Sequence, residues 1–170
     1  MVRRALPALL LSFALAACQS TATPTGLPIQ GVVSGVPGLG AEVTVTYDSL
    51  GIPHVTAGSD DDASYAIGYV HARDRLFQMD FMRRLGRGTL AELLGADALG
   101  TDVSLRTVFT SQEPVATGPR AGSYRIEDVI ASTLTPSFRT FLQRYADGVN
   151  RYLVDLATGA NGARVPAEYA

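Results

Sequence analysis

The stretch AIGYVHARDRLFQM, residues 66–79, lies at the centre of the longest helical pattern in the chain. Residues 59–62, SDDD, supply a cap and a negatively charged first turn, and no proline follows before Leu85. At about 100° per residue, the apolar side chains of this helix fall on two opposite faces. One face holds Ala63, Ala66, Ile67, Val70, Phe77 and Phe81, and the other holds Tyr65, Tyr69, Ala72, Leu76 and Met79. Such a helix is buried between layers, and the rest of the chain offers little to cover both faces, which suggests an incomplete protein.

A β-hairpin is predicted just before this helix. Residues 43–47, VTVTY, alternate apolar and polar side chains with the period of two that is typical of a half-buried strand. Residues 48–51, DSLG, supply turn chemistry, and residues 52–56 can return as a second strand.

Two further helices are predicted after the long one. Residues 89–92, TLAE, have the spacing of a capping box, and Gly95 can end a short helix there. Residues 102–130 carry weak and mixed patterns that indicate no element. Thr135 and Pro136 begin the last helix as its cap and first residue. The apolar stripe of that helix, which places it on a surface, consists of Phe138, Phe141, Leu142, Tyr145, Val149, Tyr152, Leu153 and Leu156.

The first 41 residues predict export rather than a folded domain. Residues 1–17 carry Arg3 and Arg4 before an apolar run that is too short to span a membrane, which is typical of a secretory signal. Residues 15–18, LAAC, resemble the bacterial lipobox, in which Cys18 is acylated and becomes the mature N-terminus. The alternative is an ordinary signal in which Cys18 is incidental. Residues 18–41 are therefore expected to be a lipidated cysteine and a flexible tether, rich in Ser, Thr, Pro and Gly.

Composition excludes several function classes. Charged residues make up 18% of the chain and the net charge is -2, and no basic run extends beyond Arg83, Arg84 and Arg87, so we expect no nucleic-acid partner. All 14 basic residues are arginine. The single cysteine rules out an intramolecular disulfide and any cysteine-based metal cluster or redox pair.

No catalytic constellation is recognisable in the sequence. His54 and His71 are the two histidines, and no zinc-protease, phosphate-loop or nucleophile-elbow motif occurs. We expect a structural role for His54, with a ring nitrogen bonded to backbone, rather than a general-base role. Asp74 falls within an apolar face of the long helix, so we expect it to meet an arginine or backbone donors in a structural ion pair.

Four blocks of the chain, read together, resemble one known family. They are residues 47–55 (YDSLGIPHV), 66–79 (AIGYVHARDRLFQM), 83–95 (RRLGRGTLAELLG) and 145–150 (YADGVN). They are similar to the penicillin acylases of the N-terminal-nucleophile hydrolases. The resemblance implies an α+β fold, a four-layer αββα sandwich of which residues 42–170 form an incomplete small-chain portion, mostly helical with a small β-hairpin.

The resemblance also implies a division of labour between two chains. In that family a precursor cuts itself into a small N-terminal chain and a large C-terminal chain, and the new N-terminal Ser of the large chain is the nucleophile. No residue of the present sequence is therefore expected to be catalytic, substrate-binding or metal-binding, and Cys18 is the one modification site. Calcium is possible in the full protein, with ligands downstream of Ala170.

The expected function is part of an exported, lipid-anchored periplasmic amidohydrolase that removes the acyl group from small linear amides. Two alternatives stay open, which are an N-acyl-homoserine lactone acylase of the same fold and a truncated, noncatalytic lipoprotein. The noncatalytic alternative is distinguished from both acylases by whether the reading frame continues past Ala170 to a self-cleavage site before a Ser. The two acylases differ in the acyl pocket, which is not in this sequence.

Overall fold

The computed structural model of the protein describes residues 31–33 and 38–169. The predicted signal segment, Cys18 and most of the predicted tether lie outside these residues. The described part is α+β and mostly helical, as predicted. Its elements are β1 (Gly31–Val33), β2 (Val43–Tyr47), β3 (Pro53–Ala57), α1 (Asp60–Arg87), α2 (Ala91–Leu94), α3 (Leu99–Val108), α4 (Ile126–Thr133) and α5 (Pro136–Thr158), with 3₁₀ turns at Ala96–Ala98, Ala160–Gly162 and Ala167–Tyr169. None of these helices has the length and hydropathy needed to cross a membrane.

The sheet has three antiparallel strands in the order β1-β2-β3, one more than the predicted hairpin. Val43 pairs with Ala57 and Tyr47 pairs with Pro53, so the predicted hairpin is confirmed. The additional strand, β1, pairs Gly31 with Val45 on the other edge of β2. Residues 31–33 are therefore not part of a flexible tether, and the predicted tether through residue 41 was too long at its C-terminal end. The local pattern could not show this, because the strand is defined by backbone pairing with residues about a dozen positions away.

The hairpin turn is organised by Asp48. Its Oδ1 accepts hydrogen bonds from the backbone N–H groups of Leu50 and Ile52, each at 2.9 Å. Gly51 follows with φ +76°, a left-handed conformation that favours glycine. Hydrogen bonds to the carboxylate lower the pKa of Asp48 below its ordinary value, and the bond from the Ile52 N–H has the largest effect.

Helix α1 begins as the sequence predicts and runs through Arg87, two residues beyond the predicted end at Leu85. The Ser59 hydroxyl accepts from the Asp62 N–H at 3.1 Å, which is a side-chain N-cap. Asp62 is buried, and its Oδ1 also accepts a hydrogen bond from the N–H of Gly40, in the segment before β2, at 2.7 Å. The helix ends at Gly88, whose φ is +63° and whose N–H bonds to the carbonyls of Arg84 and Leu85.

The two apolar faces of α1 are both covered within this chain, so the expectation that cover was missing is wrong for its N-terminal half. The sheet covers one face, where Ala66 and Val70 pack with Val43 and Val45. Helix α5 covers the other face, where its Tyr152 packs against Tyr69 and Ala72 of α1 in a second cluster. The rings of Tyr69 and Tyr152 meet edge to face at 5.6 Å. Both cores therefore depend on α1, the only described element that contributes to each of them.

Helices α1 and α5 approach so closely that glycine is needed on both. A Cβ built on Gly68 of α1 would lie 2.1 Å from the backbone oxygen of Tyr145. A Cβ built on Gly148 of α5 would lie 1.9 Å from the backbone oxygen of Tyr65. We call this pair the glycine crossing. It sets the distance between the helices, because the obstacle on each side is backbone that cannot rotate away.

Helix α1 changes direction at Arg75, where φ is -140° and ψ is 25°. The buried residues of the helix all lie before this kink, between Asp62 and Ala72. After the kink, Phe77 and Phe81 are only half-buried, and Met82 is 61% exposed. The kink therefore separates a packed half of the helix from a half with little cover.

Candidate functional site

The two histidines occupy separate positions with ordinary partners. His54 lies in the exposed hairpin, with Nε2 3.5 Å from Asp48 Oδ2, so its partner is a carboxylate and the predicted backbone bond is wrong. His71 lies on α1, with Nδ1 3.0 Å from the hydroxyl of Tyr145 and the two rings edge to face. Burial raises the pKa of Tyr145. In the described part of the chain, neither histidine forms a hydrogen bond with a serine, threonine or cysteine side chain.

Asp74 forms the expected ion pair with an arginine, but its environment differs from the prediction. The Arg73 Nε lies 2.9 Å from Asp74 Oδ1. The Asp74 side chain is 32% exposed and the Arg73 side chain is 12% exposed, so the arginine is the buried member of the pair. The Arg73 guanidinium also lies over the ring of Tyr47, 4.6 Å from its centroid, which is a cation–π contact. The pair therefore joins α1 to the sheet and has no catalytic geometry.

A buried carboxylate that the sequence pattern did not reveal holds the end of α5. Asp155 is 1% exposed, and its Oδ2 accepts from the Tyr69 hydroxyl at 2.7 Å and from Asn161 Nδ2 at 2.8 Å. Arg151 Nη2 lies 2.8 Å from Oδ1 and supplies the compensating charge. Burial, and then the bond to Asp155, raise the pKa of Tyr69. This network joins α5 to α1 and directs the chain that leaves α5.

A second buried carboxylate, Asp102, replaces the predicted capping box. The predicted short helix is α2, and Gly95 ends it as expected, but Thr89 makes no side-chain cap. Instead Asp102 on α3 accepts from the N–H groups of Leu90 at 2.7 Å and Ala91 at 2.9 Å. One turn later on α3, Arg106 Nε donates to the Gly88 carbonyl at 2.7 Å. The sequence held one possible signal for these contacts, because Asp102 and Arg106 are four residues apart and so lie on the same face of a helix.

A cleft of about 490 Å³ lies where α1 ends and where α3 and α4 come together. Three arginines line it, Arg87, Arg106 and Arg125, together with Glu127 and the ring of Phe109. Arg125 is paired with Glu127, and Arg106 is held by the Gly88 carbonyl. We call it the arginine cleft. Its lining carries more positive than negative charge, in a chain whose net charge is -2.

The predicted apolar stripe of α5 is only partly covered. Val149 and Tyr152 pack against α1. Nearer the start of the helix, Phe138 and Phe141 stack with parallel rings 6.1 Å apart and stay 48% and 37% exposed, and Leu142 is 41% exposed. Folded monomers rarely leave large contiguous apolar patches in water. These three side chains, which we call the α5 patch, indicate a surface that packs against something else.

No group of three potential metal-ligating side chains (His, Cys, Asp or Glu) lies close enough to hold an ion within residues 38–169. The buried carboxylates of this part, Asp62, Asp102 and Asp155, are already engaged in hydrogen bonds or an ion pair. The described residues therefore offer no such site by themselves, and calcium in the full protein, with ligands downstream of Ala170, stays a prediction.

Comparison with known proteins gives a consistent result. The family model described as penicillin amidase matches residues 42–170. Penicillin acylase 2 proenzyme of Pseudomonas sp. (strain SE83) is 38% identical over 142 residues, which is 84% of this chain and 16% of that protein. Acyl-homoserine lactone acylase QuiP of Pseudomonas fluorescens is 34% identical over 142 residues, again 84% of this chain and 16% of that protein.

A solved structure shows the same relationship in three dimensions. The thermostable penicillin G acylase from Alcaligenes faecalis is similar to this chain with a TM-score of 0.58 and 33% identity, covering 75% of this chain and 60% of that one. The chain spans about 16% of the length of the first relatives it matches. The family match over residues 42–170, on a similar fold, shows that this chain belongs to the penicillin amidase family.

Proposed function

We propose that this chain is the N-terminal, small-chain portion of an exported amidohydrolase that removes the acyl group from small linear amides. The observation that carries the proposal is the family match across residues 42–170, which is all of the given sequence after the predicted tether. The α5 patch supports it, because a small chain that packs against a larger one must leave apolar surface for that contact.

In this proposal the chemistry belongs to a C-terminal chain outside the sequence. The hydroxyl of its N-terminal Ser attacks the amide carbonyl, the α-amino group of the same residue takes the proton, and an oxyanion hole holds the tetrahedral intermediate. An α-amino group has an ordinary pKa of about 7.7–8.0, which suits a base that works near neutral pH. The present chain contributes scaffold, namely the two cores around α1 and the surface offered by α5.

The proposed location is the periplasmic side of the bacterial envelope, with the protein held to the membrane by lipid on Cys18. Each buried methylene of an acyl chain contributes about 0.8 kcal/mol, so several chains anchor a protein stably. Replacing Cys18 with alanine should move the protein from the membrane fraction to the soluble fraction after cell lysis. Wild-type protein already in the soluble fraction would favour the ordinary-signal alternative, and retention of the Cys18→Ala variant in the membrane fraction would indicate another anchor.

The test of the main proposal is intact mass spectrometry with N-terminal sequencing on the protein purified from its own cell envelope. We expect a larger companion polypeptide that begins with Ser, and release of the acyl group when the purified protein is incubated with penicillin G. A chain found alone at its own mass, with no amide hydrolysis, would support the noncatalytic alternative.

The second candidate activity is hydrolysis of N-acyl-homoserine lactones. It is favoured by the several acyl-homoserine lactone acylases that match this chain at 32–36% identity. Assaying the same preparation with penicillin G and with N-acyl-homoserine lactones of different chain lengths separates the two, because the substrate with the higher kcat/KM identifies the acyl group that the pocket accepts.

A further inference from the structure

The arginine cleft carries positive charge that the described residues do not neutralise. Arg125 is paired with Glu127 through both Nε and a terminal nitrogen. Arg106 is bonded to a neutral carbonyl, that of Gly88, so its charge has no acidic partner there. The side chain of Arg87 forms no hydrogen bond or ion pair within residues 38–169. Two guanidinium groups at one cleft are thus available to an anion.

The rest of the lining shows what kind of anion fits. Phe109, 38% exposed, supplies an aromatic wall beside the guanidinium groups. Val108, next to Phe109 in the chain but outside the lining, is 70% exposed and adds apolar surface at the end of α3. A guanidinium binds a carboxylate through two parallel N–H···O bonds. A carboxylate flanked by apolar side chains complements this combination, whereas a free phosphate would leave the Phe109 wall uncovered.

We propose that the arginine cleft is the docking site for an acidic segment, an Asp or Glu side chain with apolar neighbours, contributed by the large C-terminal chain. This inference rests on the proposed function, because it needs the larger polypeptide. Two observations select this occupant. The unneutralised arginines complement a carboxylate, and the first relatives are about five times as long as this chain, so much of their length is outside it.

The absence of lysine from the sequence makes the contact directly testable. Arg87→Lys in the full-length, self-processed protein places the only lysine of residues 1–170 in the cleft. A water-soluble carbodiimide then joins the introduced amine to a carboxylate in contact with it, with loss of water. We expect mass spectrometry of the digest to show the introduced amine joined to an Asp or Glu in the large chain.

A matched control uses Arg120→Lys. Arg120 is 71% exposed and lies 3.6 Å from Asp128 of this chain, outside the cleft lining. The amine introduced there should couple to Asp128 and not to the large chain, which shows that the reagent reports contacts and not mere exposure. The proposal is overturned if the amine of the Arg87→Lys variant couples only to Glu127, only to a second copy of residues 1–170, or to nothing while the control couples.

Acyl-group release is measured on the same Arg87→Lys preparation. An active, self-processed protein in which the cleft amine forms no cross-link to the large chain refutes the docking site and leaves the proposed function intact. A protein that neither processes itself nor hydrolyses amides refutes the proposed function, and the docking site fails with it.

Discussion

Replacing Gly68 with alanine places a methyl group inside the glycine crossing. The added Cβ would lie 2.1 Å from the Tyr145 oxygen, 2.9 Å from its carbonyl carbon and 3.2 Å from its Cα. An ordinary contact begins near 3.4 Å, so α1 and α5 must separate locally by roughly 1.3 Å. The obstacle is backbone, and no change of rotamer on either helix can relieve it.

The cost follows from two opposing effects. Overpacking a well-packed core costs about 1–3 kcal/mol and occasionally more, and this case belongs at the upper end because the helices must move apart. Alanine favours a helix over glycine by about 1 kcal/mol, which offsets part of that cost. We expect the Gly68→Ala variant to lose about 2 kcal/mol of unfolding free energy. Separation of the helices also loosens the contact between Tyr69 and Tyr152.

The same helix provides the matched control. Gly86 lies in the last turn of α1, and a Cβ built there meets no atom within 4 Å. Gly86→Ala should therefore keep or raise the unfolding free energy, by up to about 1 kcal/mol, through helix propensity alone. The assay is urea unfolding of the purified chain, followed by far-UV circular dichroism.

Equal urea midpoints for Gly68→Ala and Gly86→Ala would refute the argument, because the two substitutions are chemically identical and differ only in what the methyl group meets. Gly148→Ala provides a further check from the other side of the crossing. The double variant, Gly68→Ala with Gly148→Ala, should lose less unfolding free energy than the two single variants lose together, since helices that have already moved apart have room for the second methyl group. Strict additivity would mean that the two glycines do not face one another.

Three other predictions use the buried carboxylates. Asp102→Ala leaves two backbone donors of α2 without their acceptor and should cost about 2 kcal/mol in urea unfolding; an unchanged midpoint would show that water replaces the cap. Tyr69→Phe removes one hydrogen bond to the Asp155 carboxylate and should cost about 1.5–3 kcal/mol of unfolding free energy; an unchanged urea midpoint would show that this bond does not stabilise the fold. The hydrogen bond from the Gly40 N–H lowers the pKa of Asp62 below 3.8, so the stabilisation by its carboxylate is present above that pH and is lost as the pH falls further. The difference in urea midpoint between wild type and Asp62→Asn should therefore narrow in acid. A similar narrowing for the exposed Asp61→Asn would show that the effect does not come from Asp62.

Local chemistry made the start of each long element predictable from the sequence. The Ser59 cap, the Asp48 turn and the Thr135–Pro136 start of α5 each depend on residues within a few positions, and the structure has all three. The two faces of α1 were also correct, because a helical period needs only the spacing of apolar side chains.

Contacts between distant residues explain what could not be predicted. The cap of α2 comes from Asp102, eleven to twelve residues away, whereas a capping box looks only three residues ahead. The bond from Tyr69 to Asp155 joins residues 86 apart. The arginine cleft collects side chains from three helices, and two of these helices, α3 and α4, had no clear pattern. For the same reason, the cover that α5 gives to α1 was not expected.

The glycine crossing also has a consequence for the order in which the molecule can be assembled. Gly68 and Gly148 are 80 positions apart, so the ribosome has made α1 and the sheet long before it makes α5. During that interval Tyr69 and Ala72 have no helix against them, and the loop that must close is long, which makes the final docking the slow, entropically costly event. A nascent chain of this protein therefore carries a half-finished core until α5 emerges. For the export that we propose, this delay is an advantage, because a translocation channel admits an unfolded polypeptide and not a closed core.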